Sequence, residues 1–248
     1  MDYFFEMQYP VTDVLTDGFQ RLHPAAILYL VQETAGAHCK VLGVEDEKLG
    51  GLFWAVLRYR VEVDRLPKLG ESVTLRTWPM PATKVAYPRA AEGYDAEGNR
   101  LFRLVSLWVL MDEKNRQMVL PGRSGVDVPG TTTGQELPIP AGLKAIPTEN
   151  TTARPVTERE IDKNNHMNNT QYLDWAMCLL PREFAKNHPL KAFTACYFNE
   201  ARLGDELALC WTVREDHTLY LDSYRTSGDE ANTGDRVFSA QLEFDVVM

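Results

Sequence analysis

Residues 162–172 read Asp162-Lys163-Asn164-Asn165-His166-Met167-Asn168-Asn169-Thr170-Gln171-Tyr172, an acid, amides and one imidazole crowded into the approach to an amphipathic stretch. A helix N-terminus carries unpaired backbone N–H groups and the positive end of a dipole, so a carbonyl aimed at it is polarised as its oxygen gains charge. Short polar side chains around such an end orient a carbonyl or a water molecule. The placement suits chemistry at a thioester carbonyl. Taken singly, Asn168 and Asn169 are first of all helix caps. A lone loop histidine is more often solvated than catalytic, so the pattern, not any one residue, carries the expectation.

The elements that must hold this stretch occur twice. The turn and strand of Leu66-Pro67-Lys68-Leu69-Gly70-Glu71-Ser72-Val73-Thr74-Leu75 have a partner in Ala201-Arg202-Leu203-Gly204-Asp205-Glu206-Leu207-Ala208-Leu209. Val73 and Leu75 in one, and Leu207, Leu209, Trp211 and Val213 in the other, alternate with smaller or polar residues at the period of half-buried strands. Upstream of each turn lies a helical pattern, carried by Ile27, Leu30, Val31 and Ala35 and by Tyr172, Trp175, Ala176 and Leu179, the latter stopped at Pro181. His23, before Pro24, starts the first helix much as His166 precedes the second, although the first half lacks the Asp-x-Asn-x-His pattern. Downstream, residues 87–94 and 101–111 form strands in the first copy. In the second, residues 219–224, a Gly/Asp/Asn-rich turn, and the alternating Phe238, Ala240, Leu242, Phe244 and Val246 do the same. Each copy is therefore one long helix with a run of mostly antiparallel strands, an α+β unit. Residues 122–155, interrupted by Pro129, Pro138, Pro140, Pro147 and Pro155, are expected to be an extended linker. The expected division is 1–125, linker 126–155, and 156–248.

Composition bounds the function. Hydrophobic residues at 44% and charged residues at 25% of 248 are those of an ordinary globular protein. The net charge of −9 gives a nucleic-acid role no support. No apolar run is long enough for a membrane helix, and the acidic start Met1-Asp2-Tyr3-Phe4-Phe5-Glu6 lacks the features of a secretory or organelle signal, so a bacterial cytoplasm is expected. Cys39, Cys178, Cys196 and Cys210 show no C-x-x-C spacing and are expected to be small buried hydrophobes, with no metal site.

Together these motifs resemble the acyl-acyl carrier protein (acyl-ACP) thioesterases of bacteria and plant plastids. The likeness rests on Asp162, Asn164, His166, Asn168 and Asn169 followed by Gln171-Tyr172-Leu173-Asp174-Trp175, and on Tyr197-Phe198-Asn199-Glu200-Ala201. In the first half it rests on Phe53-Trp54-Ala55-Val56-Leu57-Arg58, the Gly70-Glu71 turn with Thr77-Trp78, and Ser106-Leu107-Trp108-Val109-Leu110-Met111-Asp112. It spans essentially the whole chain. The resemblance implies two tandem hotdog domains, each a long helix wrapped by a mostly antiparallel sheet, and hydrolysis of fatty acyl-ACP without a cofactor. It implies Asp162, Asn164, His166 and Glu200 as catalytic residues. Where plant members carry Cys after the Glu, this chain has Ala201, so a cysteine nucleophile at that position is impossible.

For such a reaction, Glu200 or Asp162 is the candidate general base, His166 orients water or passes a proton, Asn164 donates an amide hydrogen bond, and the amides near Asn168 and Asn169 are oxyanion donors. The resemblance further implies that the first half became the acyl-chain pocket, with Leu28, Gln32 and Leu57 as candidates. The partner is acyl carrier protein bearing a phosphopantetheine-linked chain. Arg154, Arg159, Lys163, Arg182, Lys186 and Lys191 flank the site and are a candidate patch for this acidic protein. An acyl-CoA thioesterase, or a non-catalytic acyl-thioester-binding module, are the alternatives. Monomer and homodimer are both open.

Overall fold

The computed structural model describes residues 3–226 and 234–245. The chain forms two compact units, Met1–Pro140 and Ala141–Met248.

In the first unit, β1 (Phe5–Pro10) is followed by α1 (Pro24–Leu42), β2 (Leu52–Val63), β3 (Ser72–Pro79), β4 (Tyr87–Tyr94), β5 (Arg100–Asp112), the short β6 (Met118–Val119) and a single turn, α2 (Pro121–Ser124). The strands pair antiparallel in the order β1-β3-β4-β5-β2, with β6 beside β5. α1 begins where it does because His23 accepts the Ala25 N–H on its side chain and Pro24, with its fixed φ, occupies the first turn. It ends at Gly43, whose φ of 70° lets its N–H turn back to the Cys39 and Lys40 carbonyls. Ile27, Leu28, Leu30, Val31 and Ala35 form its buried stripe.

The second unit repeats the plan: β7 (Asn150–Pro155), α3 (Asn169–Cys178), α4 (Arg182–Asn187), β8 (Leu190–Tyr197), β9 (Glu206–Val213), β10 (Thr218–Arg225) and β11 (Arg236–Phe244). Its strands pair antiparallel in the order β7-β9-β10-β11-β8, so each strand has a counterpart in the first unit. Each unit is an α+β hotdog. α3 buries Tyr172, Leu173, Trp175 and Ala176 and covers 10 residues against 19 for α1. Pro181 separates it from α4, because a proline removes a helical N–H and disfavours helix in the residue before it.

Three expectations change. The end of the expected linker is a strand, β7, which pairs with β9; Pro155 is tolerated because it ends an edge strand. β9 is not half-buried: Leu207, Ala208, Leu209 and Cys210 are all buried, and Thr212 is buried while Trp211 and Val213 are only partly so. Cys178, at the last residue of α3, is exposed, and Cys39 is half-buried. The Gly/Asp/Asn-rich turn at 227–233 and Val246 lie outside the described residues.

Candidate active site

Two loops of the second unit converge. The first runs from the Glu158–Glu160 turn to the start of α3. Asp162 shapes it: Oδ1 accepts the Asn164 N–H at 2.8 Å, and its backbone exchanges bonds with His166 and Asn165 across a tight turn in which Asn165 takes a φ of 62°. Asn tolerates that left-handed geometry better than most residues. Asn168 then caps α3, its side chain accepting from the Thr170 N–H and hydroxyl at 2.9 Å. The second loop leaves β8 at Tyr197 and turns at Gly204, whose φ of 85° favours glycine.

The loops are tied together by the Met167 N–H, which donates to the Ala201 carbonyl at 2.8 Å, and by the Tyr197 hydroxyl, which donates to the Asn169 carbonyl at 2.8 Å. This brings His166 Nε2 to 3.4 Å from Glu200 Oε2. Both side chains remain accessible, at 17% and 37%, so a substrate and a water can reach them. Arg202 Nη2 lies 3.9 Å from the same carboxylate oxygen and adds positive charge at the rim. Ala201 is wholly buried. Burial pushes the Tyr172 phenol well above its usual range, while the Ala201 backbone hydrogen-bonded to it acts the other way.

The structure unites His166 with Glu200 but holds one oxygen of Asp162 within its own loop. Asn164 is exposed on that loop. Two of the amides at the helix start are already committed, the Asn168 N–H to the Glu160 carbonyl and the Thr170 N–H to the Asn168 side chain. The oxyanion role therefore does not suit the Asn168 N–H; the Asn169 N–H is the amide that those bonds leave over. Among the pocket candidates, Leu28 has no accessible surface and is packed core, so it lines no open pocket in this state. Gln32 donates to the Tyr59 hydroxyl at 3.2 Å. Leu57 is the bulged residue of β2 and packs on Ala86, Leu107 and Val109. Of the basic residues, Arg154 pairs with Glu160 and lies over the Trp175 ring, and Lys191 pairs with Asp245, whereas Arg159, Lys163 and Lys186 are exposed. No group of three or more potential metal ligands occurs among the described residues.

The first unit contains the same two loops with other side chains. Val11 N–H meets the Glu71 carbonyl as Val156 N–H meets that of Asp205, Leu22 N–H meets the Pro67 carbonyl as Met167 N–H meets that of Ala201, and Asp17 Oδ1 accepts from Phe19 N–H as Asp162 accepts from Asn164. Arg21, ion-paired with Asp17 at 2.9 Å, stands where His166 stands. The run Pro10-Val11-Thr12 ahead of Asp17, echoed by Pro155-Val156-Thr157 ahead of Asp162, is the sequence signal for this second repeat.

Residues 2–120 match the acyl-ACP thioesterase N-terminal domain and residues 144–245 the acyl-ACP thioesterase C-terminal domain. The chain belongs to the acyl-ACP thioesterase family. A chloroplastic palmitoyl-acyl carrier protein thioesterase of Gossypium hirsutum is 28% identical over 205 residues, which are 76% of this chain and 50% of that protein. The chain spans about half the length of the curated relatives it matches. Among solved structures, an acyl-ACP thioesterase from Bacteroides thetaiotaomicron superposes with a TM-score of 0.88 at 20% identity, over 98% of both chains. The 12:0-ACP thioesterase from Umbellularia californica does so with 0.80 at 20% identity, over 99% of this chain and 98% of that one. These likenesses establish the double hotdog fold of this acyl-ACP thioesterase family member.

Proposed function

We propose that the chain hydrolyses fatty acyl-ACP thioesters to free fatty acid and carrier thiol, with Glu200 as general base. The observation that carries this reading is the 3.4 Å approach of His166 Nε2 to Glu200 Oε2 at an accessible surface, in a chain of this family. Glu200 takes a proton from water as its oxygen attacks the carbonyl carbon. The negative charge that gathers on the carbonyl oxygen is met by the Asn169 N–H at the positive end of α3 and by the side-chain amide of Asn164. When the C–S bond breaks, the proton held by Glu200 passes through His166 to the leaving thiolate. Asp162 keeps the loop in the shape that presents His166. No cofactor enters the scheme, and no cysteine nucleophile is required, which agrees with a buried alanine at position 201. The exposed Arg159, Lys163 and Arg202 suit the acidic carrier and its phosphopantetheine arm. Residues Gln32 and Leu57 remain the candidates for contact with the acyl chain.

The test is thiol release from a ladder of acyl-ACP and acyl-CoA substrates by the wild type and His166→Ala. Fast release from acyl-ACP that the variant loses by at least about a hundredfold supports the reading. Release from acyl-CoA alone, or equal rates in both proteins, contradicts it.

A further inference from the structure

The carboxylate of Glu200 sits on a peptide segment outside regular secondary structure, yet that segment is gripped on every side. The Ala201 carbonyl accepts from Met167, the Ala201 backbone is hydrogen-bonded to the Tyr172 hydroxyl, and the Arg202 N–H donates to Asp205 Oδ2 at 2.9 Å. A further hold is on the backbone of Glu200 itself. Arg225, the last residue of β10, donates from Nη2 to the Glu200 carbonyl at 2.5 Å and from Nε to Asp205 Oδ2 at 3.1 Å, with its Nη1 3.7 Å from Asp235. One planar guanidinium thus spans the two ends of the turn that carries the proposed base. A guanidinium presents fixed donors to two acceptors at once, which a flexible ammonium does not.

The first unit supplies an internal comparison. By strand register, Arg225 opposite Leu207 corresponds to Asp95, and the Asp205 turn corresponds to that of Glu71. There the charges are rearranged: Arg65 lies between Glu71 and Asp95, at 2.7 and 3.5 Å. Leu66 occupies the Glu200 position, and an acid occupies the position from which Arg225 reaches the Glu200 carbonyl. The grip on the carbonyl accompanies the unit that bears the His and Glu pair. Both copies close the turn with a guanidinium between two elements, Arg65 in one and Arg225 in the other, so what sets the second copy apart is the bond from that guanidinium to the carbonyl of Glu200.

We infer that Arg225, locked by Asp205, is a positioning residue that sets the reach of Glu200 toward His166. The inference rests on the reading of Glu200 as base. It is tested in the full chain by steady-state hydrolysis of the fastest acyl-ACP of the ladder, with Arg225→Gln, Asp205→Asn, their double variant and Glu200→Gln measured alongside melting temperatures. A misplaced catalytic group of this kind is expected to lower kcat by about 100-fold in Arg225→Gln. KM stays near its wild-type value, and the double variant is no worse than the more impaired single variant because the two residues act as one device. If Arg225→Gln does not fold, Arg225→Lys, which keeps a cation beside Asp205 and Asp235, is read instead, with a loss of about tenfold in kcat expected. Unchanged kcat in the folded variants, a fall in kcat matched by a rise in KM, or losses that multiply in the double variant would overturn the inference. Loss of activity in Glu200→Gln with none in Arg225→Gln removes the positioning role alone. Wild-type activity in Glu200→Gln removes the reading of the site and the inference with it.

Discussion

Leu66 stands in the first unit at the position that Glu200 holds in the second, one residue before the carbonyl that receives the helix-start loop: Pro67 takes the Leu22 N–H and Ala201 the Met167 N–H. The two copies share the turn, the Asx bond and the capped helix, and differ in the groups able to move a proton. Arg21 replaces the imidazole and is closed onto Asp17.

The first copy is therefore expected to be catalytically silent at these positions. Arg21→Ala should leave kcat within about twofold of wild type and, as the loss of a largely buried, hydrogen-bonded ion pair, lower stability by about 1–3 kcal/mol. Acyl-ACP hydrolysis and chemical denaturation of the same preparation check both parts. A loss of turnover comparable to that of His166→Ala would show that the first copy takes part in the chemistry.

Ala201 has no accessible surface, so a sulfur introduced there is packed rather than presented to substrate. Ala201→Cys should keep wild-type turnover, at a cost of about 1–2 kcal/mol for overfilling the site. Its new thiol should react with iodoacetamide no faster than the buried cysteines, against the exposed Cys178 as the reactive reference. Rapid alkylation coupled to inactivation would contradict the packing described for this loop.

Asn168 caps α3 through its side-chain oxygen. Asn168→Ala should destabilise the protein by about 1 kcal/mol, whereas Asn168→Asp retains the acceptor and most of the stability. Urea unfolding of the two variants decides it. Equal stability of Asn168→Ala and wild type would remove the cap from the account.

His38 is buried on α1 beside Arg89, whose guanidinium meets the His38 ring, the Thr77 hydroxyl and the Cys39 sulfur. Burial first, and the Arg89 charge second, lower the His38 pKa from 6.5 to about 4. The unfolded chain then takes up a proton that the folded chain refuses. The stability this contributes is complete above pH 6.5 and falls as the pH is lowered toward 4. Through that window the wild type should lose up to roughly 3 kcal/mol more than His38→Asn. Denaturation midpoints measured across the window check this, and parallel pH profiles for the two proteins would refute it.

How much of this was readable in the letters follows from where each constraint acts. The helical stripe of Ile27, Leu30 and Val31 and the Gly70 and Gly204 turns are local signals, and local physics sets them. The convergence of His166 with Glu200 depends on bonds from Met167 to Ala201 and from Tyr197 to Asn169, between residues far apart in the chain. Only the family resemblance, not spacing, pointed to it. Arg225 and Asp205 were missed for the same reason: an arginine at a strand end has no motif until β10 is paired with β9. Cys178 runs against the expectation that a free cysteine is buried because it ends a short helix stopped by Pro181. β9 departed from its alternation because its small residues, Ala208 and Cys210, are covered on the second face as well.

In the proposed reaction Glu200 removes the proton from the attacking water and His166 relays it. Single-turnover hydrolysis of acyl-ACP by Glu200→Gln, a nearly isosteric change that preserves the turn, is the decisive measurement. The variant is expected to fold, to bind acyl-ACP normally and to hydrolyse it at least about a hundredfold more slowly than wild type. Hydrolysis at the wild-type rate would contradict the proposed reaction.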